Sequence, residues 1–188
     1  MKIRLATDEI QRDSIVDGEG IRSVIWTQGC VHNCAFCHNP ETHSFTSGYL
    51  IEVEDVKKKI DSLEGQDGIT FSGGDPMEQA KACYEIAKHC KELGLNIWCY
   101  TGYTFEELIE RSKIFPDIMK FLNTIDVLVD GKFVIAQKSL NLKFRGSKNQ
   151  RIIDVPKSLK EEKVCLIPKY IKDKTYEKIA KKDHYMYV

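Results

Sequence analysis

Along the first 130 residues, short β-rich runs alternate with longer stretches whose apolar residues repeat at helical spacing. The runs are "SVIWTQ" (23–28), "GITFS" (68–72), "NIWCY" (96–100) and "DVLVDG" (126–131), and their β-branched and aromatic content predicts four strands. Between them, "VEDVKKKIDSL" sets Val53, Val56, Ile60 and Leu63 on one helical face with lysines around them. Residues 77–93 form the longest helical pattern, ended by Gly94, and "TFEELIERS" predicts a helix opened by Thr104 with glutamates in its first turn. Strands separated by helices fold as right-handed βαβ units, so the expected class is α/β, a parallel sheet with flanking helices. In such folds ligands gather at the carboxyl ends of the strands. The chain puts its unusual residues there: the cysteine loop, "SGGDP", "YTGY" and "DGKF" each follow a predicted strand. After about residue 137 the pattern predicts no clear element.

Composition narrows the class. A chain of 188 residues with 42% hydrophobic content can bury one substantial core but is short for two, so a single domain over 1–188 is expected. No run of about 18 apolar residues exists to span a membrane, and "MKIRLATDEIQRD" contains no apolar signal stretch. The expected location is the cytoplasm, where seven cysteines are better suited to remaining thiols, metal ligands or catalysts than to disulfides. Charges balance at 28 basic and 28 acidic, yet residues 131–188 hold 15 Lys/Arg against 6 Asp/Glu. That basic segment predicts either a docking surface for an acidic partner or a solvated lysine-rich face. No aromatic-and-basic module interleaves the lysines, so no nucleic-acid partner is expected.

The chemistry concentrates in "CVHNCAFCHNP" (30–40), where Cys30, Cys34 and Cys37 follow the spacing C-x3-C-x2-C. A structural zinc ion takes four ligands, and His32, His38 or His43 is available to complete such a set. Ordinary ferredoxin clusters take four cysteines. Three thiolates on a [4Fe–4S] cube instead leave one iron open to a bound molecule. The distant cysteines read as core: Cys83 and Cys90 lie seven apart on one helix, Cys99 sits between Trp98 and Tyr100, and Cys165 lies in "KVCLIP".

The C-x3-C-x2-C motif with Phe36 before its last cysteine resembles the signature of the radical S-adenosylmethionine (SAM) superfamily. The wider stretch "SIVDGEGIRSVIWTQGCVHNCAFCHNPETHSF" (14–45) is similar to the glycyl-radical-enzyme activases, in which D-G-x-G-x-R leads through a strand to the cysteine loop. Four further segments, "SGGDPM" (72–77), "YTGYTFEEL" (100–108), "DVLVDGKF" (126–133) and "RGSKNQRIIDV" (145–155), resemble the activases of anaerobic ribonucleoside-triphosphate reductase. The likeness covers about residues 14 to 155.

The resemblance implies a partial, open β/α barrel of the radical SAM type with its cluster loop over 29–45. It implies a [4Fe–4S] cluster on Cys30, Cys34 and Cys37 and S-adenosyl-L-methionine as the second cofactor, cleaved to a 5′-deoxyadenosyl radical. Phe36 is expected against the adenine, with the main chain through Cys37 to His38 at the adenine edge. Gly73, Gly74 and Asp75 stand where the family's "GGE" segment meets the methionine amino group. Asp130 and Lys132, two apart at a strand end and expected on one side, resemble an Asp-x-Lys element that serves the methionine carboxylate or a nearby cation. Thr101 matches half of an Asp-Thr pair, but Tyr100 replaces the Asp. Arg22, Arg145, Asn149, Gln150 and Arg151 suit either carboxylate recognition or structural pairing. The implied partners are a large glycyl radical enzyme, anaerobic ribonucleoside-triphosphate reductase first and pyruvate formate-lyase second, and a flavodoxin- or ferredoxin-type electron donor. The alternatives are radical chemistry on a small molecule and a zinc-stabilised module without catalysis.

Overall fold

The computed structural model describes residues 1–171. The basic segment expected over 131–188 lies within them only as far as 171, and its remainder lies outside the described residues. The strands are β1 (Lys2–Leu5), β2 (Gln11–Ser14), β3 (Arg22–Thr27), β4 (Tyr49–Glu52), β5 (Gly68–Gly73), β6 (Asn96–Tyr100), β7 (Val127–Asp130) and β8 (Arg151–Asp154). The α-helices are α1 (Val53–Asp61), α2 (Ala80–Glu92), α3 (Phe105–Ser112), α4 (Pro116–Leu122) and α5 (Val155–Glu161).

The four strands read from sequence are β3, β5, β6 and β7, and they pair in parallel in that order. The expected parallel strands and flanking helices are present, and short antiparallel strands at the sheet's margins make it mixed as a whole. Its order is β4-β1-β3-β5-β6-β7-β8, with β2 also on β3, and the β1, β2, β4 and β8 pairings are antiparallel. Parallel strands need helical crossovers, whereas the short flanking strands close with local antiparallel partners. None of the described helices is long and apolar enough to cross a membrane.

Period-two alternation gives the sheet two different faces. Ile69, Phe71, Ile97, Cys99, Leu128 and Ile153 face the helices and form the main core with Val56 and Ile60 of α1 and Cys83, Ile86 and Cys90 of α2. Burying each large aliphatic side chain there contributes about 1.5–3 kcal/mol. Trp98, Val127, Val129 and Ile152 point the other way, where they pack with Phe144 and Tyr170. Helix α3 begins with the expected cap, in which Thr104 and Glu107 bond reciprocally to each other's backbone N–H.

At the amino ends of the strands sits Arg22, 1% exposed. Its guanidinium donates to Thr70 Oγ1 (2.7 Å), the carbonyls of Glu19 (3.0 Å), Ile69 (2.8 Å) and Asn96 (2.8 Å), and Asn96 Oδ1 (3.2 Å). Burial pushes its pKa down to about 10, and none of those acceptors is a carboxylate. Arg22 is therefore neither a ligand for an anion nor half of an ion pair; it seals the amino end of the sheet.

Candidate active site

The opposite, carboxyl ends of β3, β5, β6 and β7 carry the site. Gly29 and Cys30 anchor the root of the cysteine loop by donating N–H bonds to the carbonyls of Thr42 (2.8 Å) and His43 (3.1 Å). The "SGGD" turn grips the same root from below: Gly74 N donates to Thr27 O (2.7 Å) and Asp75 N to Gly29 O (2.8 Å). A Cβ on Gly73 would fall 2.4 Å from Thr27 O, and one on Gly74 would fall 2.3 Å from Gly29 O. The two glycines are thus required by a backbone crossing, in addition to facing the cavity.

Cys30, Cys34 and Cys37, each partly exposed and unpaired, line one cavity with Ser72, Gly73, Gly74, Thr101, Lys132 and Gln150. Burial raises the Cys30 thiol, while the N–H groups of His32 and Asn33 at its sulfur act in the opposite direction. Among the described residues no three His, Cys, Asp or Glu side chains are gathered tightly enough for a single metal ion. The remaining cysteines are buried. Burial pushes Cys90 up to about 12 and Cys83 and Cys99 well above the ordinary thiol range, so none of these three is disposed to serve as a thiolate.

Phe36 is 77% exposed and holds a left-handed φ of +59°. An exposed aromatic side chain on such backbone is not a core residue, and the conformation costs on the order of 1–3 kcal/mol. His38 packs its ring on Phe133, centroids 4.7 Å apart.

Two expected contacts are turned away from the cavity. Asp75 is fully buried, and its carboxylate accepts from Met77 N (3.0 Å), Thr101 Oγ1 (2.9 Å), Gly102 N (2.9 Å) and His32 Nε2 (2.8 Å). Asp130 is buried too, taken by Arg151 at 2.5 Å and by Phe105 N (2.8 Å) at the start of α3. Lys132 lines the cavity while Asp130 points behind it, because Gly131, at φ +93°, ends the extended chain and breaks the alternation that would have aligned them.

The polar residues after residue 144 hold the turn that carries Lys132. Gln150 Oε1 accepts from Gly146 N (2.8 Å) and Ser147 N (3.1 Å), and its Nε2 donates to Gly131 O (3.1 Å). Asn149 Nδ2 donates to Lys132 O (2.8 Å), leaving its buried Oδ1 without a donor among the described residues. Arg145 donates to the carbonyls of Gln150 (2.9 Å) and Tyr170 (3.1 Å). Arg151 bridges Asp130 and Glu106. The sequence singled out Gln150 without predicting its place on the cavity wall, and it missed Ser72; each lies beside a glycine-containing turn that follows a strand, which is the signal that finds them.

Three thiols on one cavity wall, with the spare cysteines buried elsewhere and an exposed aromatic ring on the same loop, suit an iron–sulfur cluster and an organic ligand beside it. Comparison with known proteins agrees. Residues 16–153 match the family described as 4Fe-4S single cluster domain. The anaerobic ribonucleoside-triphosphate reductase-activating protein of Vibrio cholerae is 38% identical over 146 residues, 73% of this chain and 90% of that protein. The proteins of the same name from Haemophilus influenzae and Enterobacteria phage T4 are 32% and 31% identical, over 73% and 77% of this chain and 90% and 91% of their own lengths. The chain belongs to the 4Fe-4S single cluster domain family and, within it, to the family of anaerobic ribonucleoside-triphosphate reductase-activating proteins.

Proposed function

We propose that this chain is a radical SAM activase, built as one domain on an open β/α barrel of that type. It cleaves SAM reductively at a [4Fe–4S] cluster and removes a hydrogen from a glycine of anaerobic ribonucleoside-triphosphate reductase. The observation that carries this reading is the set of three half-buried thiols on one cavity at the carboxyl edge, with the other four cysteines buried. Bound there, the cluster would supply the electron that breaks the sulfur–C5′ bond of SAM, giving methionine and a 5′-deoxyadenosyl radical that takes the glycine α-hydrogen.

The chain's own residues bind, orient and exclude. Cys30, Cys34 and Cys37 are the ligands. The exposed ring of Phe36 offers the adenine a stacking face, with main-chain groups from Phe36 to His38 along its edge. Gly73 and Gly74 present main chain to the methionine end, and Lys132 supplies a positive charge for its carboxylate. Thr101 faces the same cavity, its hydroxyl fixed by Asp75. Asp75 and Asp130 serve from behind, by holding the turns that carry these groups.

An electron donor of the flavodoxin or ferredoxin class completes the balance. Mixing reduced, cluster-loaded protein with SAM and the reductase is expected to give a glycyl doublet in electron paramagnetic resonance (EPR). SAM cleavage without a doublet would move the substrate to another glycyl radical enzyme or a small molecule. A protein that binds zinc and cleaves no SAM would overturn the reading.

A further inference from the structure

His32 lies between two of the cysteines in a loop whose neighbours Val31, Asn33, Ala35 and Phe36 are exposed, yet its side chain is only 5% exposed. The ring enters a socket assembled from two other strand ends. Asp75, after β5, whose oxygens already accept from Met77 N, Thr101 Oγ1 and Gly102 N, takes His32 Nε2 at 2.8 Å with the imidazole as donor. Gly102, after β6, leaves room for the ring: a Cβ there would sit 2.3 Å from His32 Cδ2. Tyr103 closes the socket, its ring edge-on to the imidazole with centroids 4.4 Å apart. Tyr103 is itself fixed by Glu78, 2.5 Å from its hydroxyl, and by the Arg111 guanidinium 4.4 Å from its ring centre.

Little else ties this stretch down. From residues 31 to 37, the bond to Asp75 is the only side-chain hydrogen bond among the described residues, and the backbone contributes only the internal link from Cys37 N to Cys34 O. The main-chain amides of His32 and Asn33 also lower the Cys30 thiol pKa, against the effect of its burial. Hydrogen bonds to a cluster's sulfur ligands tune its reduction potential, and groups that orient metal ligands govern how firmly the metal is held.

We propose that His32 is a positioning residue of the cysteine loop. Through the socket of Asp75, Gly102 and Tyr103 it fixes the loop, and with it the three cysteines, over the strand ends. This rests on the reading of Cys30, Cys34 and Cys37 as cluster ligands, and adds a residue that borders the same cavity with its imidazole committed to Asp75.

The test compares reconstituted wild type, His32→Ala, His32→Gln, Gly102→Ala and Cys34→Ala. Iron retention under a chelator, the midpoint potential of the cluster and the KM for SAM are read on each. In His32→Ala, iron is expected to be lost about 10–100-fold faster than in wild type, and the potential to shift from the wild-type value as the loop is released. His32→Gln, which keeps a donor toward Asp75, recovers part of both. Gly102→Ala, which expels the ring without altering the loop, moves both in the same direction as His32→Ala and guards against a variant that simply misfolds. Wild-type retention and potential in His32→Ala and Gly102→Ala, with Cys34→Ala unable to assemble a normal cluster, would overturn the positioning role and leave the ligand reading intact. A normal cluster in Cys34→Ala would overturn the ligand reading itself.

Discussion

The two ends of the parallel strands show opposite treatments of polar groups. At the amino end, Arg22 is buried and spends its guanidinium on five hydrogen bonds to groups of the sheet and its loops. At the carboxyl end, three thiols, the Lys132 side chain and an exposed phenyl ring are left facing a cavity or solvent. A polar group whose partners are all supplied by the fold contributes to stability. Groups kept without partners at a cavity, on backbone that is strained to present them, are held ready for a ligand. Mutations should therefore separate cleanly, with the amino end governing folding and the carboxyl end governing chemistry.

The largest effect is expected from Cys34→Ala, which should abolish both normal cluster assembly and the glycyl doublet. The apo-protein should melt within about 0.5 kcal/mol of wild type, as for other substitutions away from the core; iron analysis beside urea unfolding checks both halves. Arg22→Leu should behave in reverse. It strands buried carbonyls at about 1–3 kcal/mol each, so a loss of roughly 3–5 kcal/mol in urea unfolding is expected, tempered by partial solvation. The KM for SAM of the folded fraction should stay unchanged. If Arg22→Leu altered SAM binding at constant stability, the contrast between the two ends would fail.

Smaller effects sharpen the same contrast. Phe36→Ala removes a ring that is mostly exposed, so stability should hold while the KM for SAM rises about tenfold, the equivalent of about 1.4 kcal/mol. Equal KM values would remove the stacking role. The smallest effect is expected at Glu106, whose pKa is lowered from 4.5 chiefly by its hydrogen bond to Arg151. A carboxylate depressed on folding stabilises above its unfolded value, and that contribution is lost as pH falls through the folded value. Because Glu106 is largely exposed, the stability difference from Glu106→Gln should be under about 1 kcal/mol at pH 7. It should vanish as the solution is made acid.

Where the sequence could and could not be read follows the same physical divide. The parallel strands announce themselves because they are buried on both faces and rich in β-branched and aromatic residues, as in "GITFS" and "NIWCY". Strands β1, β4 and β8 are four residues each, and β2, "QRDS", is mostly exposed and polar, so periodicity has nothing to act on. In the site, residue type and spacing made the three cysteines legible, and the helical and strand positions of Cys83, Cys90 and Cys99 identified them as core. The direction of a side chain was not legible. Asp75 and His32 meet across 43 residues of chain, and only the folded sheet edge brings them together. Asp130 and Lys132 were expected on one side because a strand alternates strictly, and a single left-handed glycine between them removes that rule.

The most direct measurement is the EPR spectrum of the reduced, anaerobically reconstituted protein before and after SAM, with iron counted on the same sample. An iron atom left open by a three-cysteine site predicts about four irons per chain and a cluster signal that SAM visibly reshapes. A cluster whose signal SAM leaves untouched, or a colourless protein holding zinc, would contradict it.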